Sequence, residues 1–71
     1  MKYIIIDVKK GDMFNKEFDN KAEALKQAEI DFSYLTDYDK KQRSDFYVLE
    51  SANPDEEADN HYDGEVVKRW I

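Results

Sequence analysis

Apolar and polar positions alternate cleanly at the start of the chain. Over residues 2–9 (KYIIIDVK), Ile4, Ile6 and Val8 share one face and Tyr3, Ile5 and Asp7 the other. That period of two predicts a β-strand. Lys10-Gly11-Asp12 is a turn signal, because glycine reaches positive φ without steric cost. From Met13 to Phe18 the two phenylalanines, Phe14 and Phe18, fall on one side with Lys16 between them, which predicts a second strand closing a hairpin. The period then changes. Asn20 with Glu23 three residues on forms a capping-box pattern, and a helix follows through AEALKQAEIDFSYL. At 100° per residue, Ala22, Leu25, Ala28, Phe32 and Leu35 make one stripe, expected to pack on the sheet. Ile30 and Tyr34 sit one turn apart on the other side.

Thr36 is placed to cap a second, short helical turn. Asp37 and Asp39 lie at its start and Lys40, Lys41 and Arg43 at its end, an order that suits the helix dipole. Asp45 to Ser51 is rich in aromatic and β-branched residues and predicts a strand that ends at Asn53-Pro54. Residues 55–64 read as an acidic loop, and Glu65 to Ile71 as a last strand in which either Val66 and Trp70 or Val67 and Ile71 face inward. The order is β-hairpin, helix, short helical turn, two strands. The expected fold is a two-layer α+β domain, with one main helix on one face of a mostly antiparallel sheet. Seventy-one residues suffice for a single domain spanning 1–71.

Residues 34–48 also resemble a known group. The run Leu35-Thr36-Asp37-Tyr38-Asp39-Lys40-Lys41-Gln42-Arg43, followed by Phe46-Tyr47-Val48, is similar to an LT-x-YDKK-x-R…FYV core. That core is shared by small uncharacterised proteins of Gram-positive gut bacteria, often carried near mobile elements. The resemblance extends toward Phe14–Asp19 and Asp63–Trp70. It implies an α+β fold and a bacterial cytoplasmic setting, and it brings no activity, cofactor or catalytic residue with it.

Composition narrows the chemistry. There is no cysteine, so disulfides, thiolate nucleophiles and Cys-ligated metals are excluded, and a reducing cytoplasm is the expected setting. Tyr3 to Ile6 are too short an apolar run for a signal-peptide core, and no run approaches a transmembrane span. Two glycines leave no P-loop or dinucleotide fingerprint. The net charge of −6 is local. Residues 55–65 hold Asp55, Glu56, Glu57, Asp59, Asp63 and Glu65 with no base, and the remaining sixty residues carry eleven acids and eleven bases. Direct nucleic-acid binding is therefore not expected, since it needs a basic stripe.

Two chemical candidates lie in the acidic segment. His61 could serve as a base, yet nothing in the sequence supplies an aligned partner or a pocket. Asp59-x-His61-x-Asp63-Gly64 imitates the opening of an EF-hand loop, but Trp70 stands where the bidentate glutamate belongs. No catalytic residue, metal or cofactor is expected. The apolar surface is the stronger lead. If Ile4, Ile6 and Val8 meet the helix, Tyr3 and Ile5 face away. The last long strand sends either Phe46 and Val48 or Tyr47 and Leu49 outward. The expected partner surface comprises Tyr3, Ile5, Tyr47 and Leu49, with Ile30 and Tyr34 as a second patch and Asp55, Glu56, Glu57 and Asp59 beside them. The expected role is a small acidic cytoplasmic protein–protein interaction module without catalytic activity, binding a protein partner or a second copy of itself. The alternative is an acidic DNA mimic, an anti-restriction type of inhibitor from a mobile element. Small cores favour self-association, because ~70 residues bury too little apolar surface for more than a few kcal/mol.

Overall fold

The computed structural model describes residues 1–51 and 64–71. The acidic candidates Asp55, Glu56, Glu57 and Asp59, and His61 with them, lie outside the described residues. The elements are β1 (Lys2–Lys9), β2 (Asp12–Phe18), α1 (Lys21–Ser33), α2 (Asp37–Gln42), β3 (Arg43–Ser51) and β4 (Glu65–Arg69). All strand pairs are antiparallel, in the order β2-β1-β3-β4. One main helix packs on this sheet, so the α+β fold stands as expected.

Local chemistry accounts for each boundary. Lys10 and Gly11 alone form the hairpin loop, with Gly11 at φ 84° and Lys9 paired to Asp12. Asp12 is thus already strand rather than turn. The Asn20 side chain accepts from the Glu23 amide and starts α1. The helix ends at Ser33, two residues before the expected Leu35, with Tyr34 as its cap. Thr36 and Asp39 then form a reciprocal capping box for α2. The chain leaves α2 straight into β3 at Arg43, two residues earlier than the pattern implied. The Lys10 amide donates to the Gln42 carbonyl at 3.0 Å and ties the hairpin turn to that junction.

The orientation of β1 reverses the expectation. Tyr3 and Ile5 lie on the helix side, packed with Ala24, Ala28, Phe46 and Val48. Ile4 and Ile6 lie on the other face, with Leu49, Val8 and Tyr47. Register explains why. Ile5 pairs with Val48 and Asp7 with Phe46, so the odd residues of β1 share a face with the bulkiest side chain of β3. Phe46 packs against Phe32 of α1 and edge-on to Trp70, with centroids 5.5 and 5.7 Å away. The helix stripe shifts as well. Ala24 and Ala28 are fully buried, whereas Ala22 is exposed. Two methyl-sized side chains let α1 approach a sheet face that already carries large rings.

A bulge between Val48 and Leu49 breaks the alternation of β4. Val66 then pairs with Leu49 on the far face, while Val67, Trp70 and Ile71 all join the helix-side core. Of the two sequence alternatives, the one with Val67 and Ile71 inward holds, and Trp70 joins them. Beyond β4, the Trp70 and Ile71 amides both donate to the Phe46 carbonyl, and the Phe46 amide donates to Ile71.

Candidate functional site

The expected partner surface is not one surface. Ile5 and Leu49 are 4% and 5% exposed and lie on opposite faces of the sheet. Tyr3 is half-buried beside Glu50, and burial together with that carboxylate raises its phenol pKa. Tyr47 sits under the Arg69 guanidinium at 4.5 Å, and Arg69 is paired with Asp45. Ile4 and Ile6 on that same face are 0% and 1% exposed. The reverse side is therefore not the open apolar face that the pattern suggested.

The structure opens a different place. At the end of α1, a groove of about 250 Å3 lies beside β2. Ile5 and Phe46 form its apolar floor. Phe14 and Lys16 stand on the sheet side, and Asp31, Tyr34 and Leu35 on the helix side. At its base Arg43 donates from Nε to Asp7 at 3.3 Å and from Nη1 to the Asp39 carbonyl at 3.0 Å. Both side chains of that ion pair are mostly buried, so its geometry is held by packing. Gln27 holds Asp31 through a 2.8 Å hydrogen bond along the helix.

Phe14 and Tyr34 are 60% and 80% exposed. Large rings that stand open to water around an apolar floor are unusual on a domain short of core. Of the residues singled out from the sequence, Tyr34 and Ile5 meet here. Ile30 lies nearby on α1, 38% exposed, and does not line the groove. Phe14, Lys16, Asp31, Leu35 and Arg43 carried no site signal in the sequence. The one clue was the match of Thr36 with Asp39, since a cap there forces α1 to stop and exposes Tyr34 at its end.

Glu29 and Asp39, outside the groove, tie elements together. Glu29 accepts from Lys68 at 2.8 Å and from the Trp70 indole at 3.0 Å, and the two bonds hold its pKa below the ordinary range. The Thr36 amide and hydroxyl lower Asp39 in the same way. Among the described residues no three His, Cys, Asp or Glu side chains gather to hold a metal ion. No helix among them is long and apolar enough to cross a membrane. Compared with protein-family models, curated proteins and solved structures, the chain matches none.

Proposed function

We propose that this chain is a non-catalytic protein-binding module, and that the groove between β2 and the end of α1 takes an apolar or aromatic side chain of a protein partner. The observation that carries this reading is the buried Ile5–Phe46 floor between two exposed rings, Phe14 and Tyr34. Size favours a side chain over a cofactor. At about 250 Å3 the groove is smaller than typical small-molecule pockets, which run to roughly 300–1,000 Å3. Tyrosine and phenylalanine at a rim are also the residue types that anchor interfaces. The cysteine-free composition supports a role in a reducing compartment such as the cytoplasm.

A displayed random peptide library, selected on the immobilised chain, tests the reading. Enriched peptides should carry an apolar or aromatic anchor and shift the amides of 14–16 and 31–35. Tyr34→Ser should weaken them about tenfold, as expected for loss of ~1–2 kcal/mol at an interface anchor. Tyr38→Ser is the control, because Tyr38 is 70% exposed but lies outside the groove. Peptides insensitive to Tyr34→Ser, or no enrichment at all, would overturn the assignment.

A further inference from the structure

β2 is an edge strand with no strand on its outer side among the described residues, and Asp12 to Glu17 are all exposed. Edges of this kind accept a further strand unless something opposes it. The two-residue loop closed by Lys9 and Asp12 sets the phase of the ladder. Asp12, Phe14 and Lys16 direct their peptide groups toward β1. On the outer side they occupy the non-hydrogen-bonded positions, where facing side chains come closest, with Cα atoms ~4.5 Å apart.

Of the five residue-centred two-fold axes over Met13–Glu17 that would let β2 pair antiparallel with itself and keep that ladder, the one at Met13 sets Lys16 against Lys10 and the one at Glu17 sets two carboxylates against each other, which leaves three. An axis at Lys16 sets two ammonium groups against each other. An axis at Asn15 leaves Asp12 facing Phe18. An axis at Phe14 sets the two Phe14 rings together and places Asp12 of each copy opposite Lys16 of the other. Charge complementarity selects the third. A lone lysine on an edge discourages indiscriminate strand pairing, and only this register gives it a carboxylate. We propose that the chain forms a two-fold dimer through β2, centred on Phe14. Asp12, Phe14 and Lys16 all lie on the helix side of the sheet, so both copies present their helices on one face. The two grooves then adjoin across the Phe14 pair, and a partner with two anchors would be held bivalently.

Light scattering at rising concentration should show the mass climbing from 8.5 kDa toward twice that value. Lys16→Asp should abolish the rise, and Asp12→Lys combined with Lys16→Asp should restore it. Both sites are exposed, so far-ultraviolet circular dichroism should be unchanged. The chain has no cysteine, so Phe14→Cys introduces a single thiol at the dyad, within disulfide reach of its twin. Mild oxidation should cross-link that variant and leave Met13→Cys without a covalent bond between copies. A native chain that stays at 8.5 kDa, or a dimer indifferent to both charge variants, would overturn the proposal. Either result would leave the peptide selection on the groove untouched, and Tyr34→Ser should not alter dimerisation.

Discussion

Phe46 joins three parts of the molecule at one side chain. It is 2% exposed, packs on Phe32 of α1 and meets Trp70 at 87°, while its backbone binds the residues after β4. Replacing it with alanine removes the ring and leaves a cavity, a change that costs ~3–5 kcal/mol in other cores. A domain this size has little more than that in total, so Phe46→Ala should be unfolded, or nearly so, in urea titrations at 25 °C. Gly64 matters for a different reason. A Cβ there would lie 1.9 Å from the Glu50 carbonyl oxygen, inside the backbone of β3. Gly64→Ala should therefore break the start of the β3–β4 pairing, read as lost amide protection at Glu65 and Val66. The same substitution at Gly11, where a Cβ meets nothing, should cost only the strain of its positive φ.

At the scale of elements, α1 is held from two sides. Its inner face relies on alanines, and its outer flank is clasped to β4 and Trp70 by Glu29. Glu29 is lowered by its hydrogen bonds to Lys68 and then to Trp70. A carboxylate depressed by folding adds stability above its unfolded pKa and loses it as pH falls through the folded value. The clasp should hold at neutral pH and release only in acid, below the range where an ordinary glutamate titrates. Trp70 fluorescence should report that release, and Glu29→Ala should remove the acid transition at this site. Asp39 is lowered too, by the Thr36 amide and hydroxyl, so the capping box of α2 weakens over a similar acid range.

At the scale of the molecule, the described residues form a four-stranded sheet with buried side chains on both faces. Ile5, Phe46 and Val48 are buried on the helix side, and Ile4, Ile6 and Leu49 on the other. Among the described residues, only β1 and β3 have strands on both sides. Their amides should be the last to exchange with deuterium, and those of β4, short and bulged, among the first. A β4 as slow as β3 would show that the sheet opens as one unit rather than from this edge.

Period-two alternation in residues 2–9, the Asn20 and Thr36 caps and the turn at Gly11 determine the elements, their order and the α+β class. Those signals are local, which makes them legible in one sequence. Alternation also shows which residues share a face. It does not say which face the helix takes, because Ile4, Ile6 and Val8 are as apolar as Tyr3 and Ile5. The register of β1 on β3, with Phe46 opposite Asp7, decided that, and the bulge beside Leu49 decided the inward residues of the last strand. The groove is a product of the same long-range choices. Phe14 and Tyr34 are twenty residues apart, and they line one groove only because the fold brings edge strand β2 beside the end of α1.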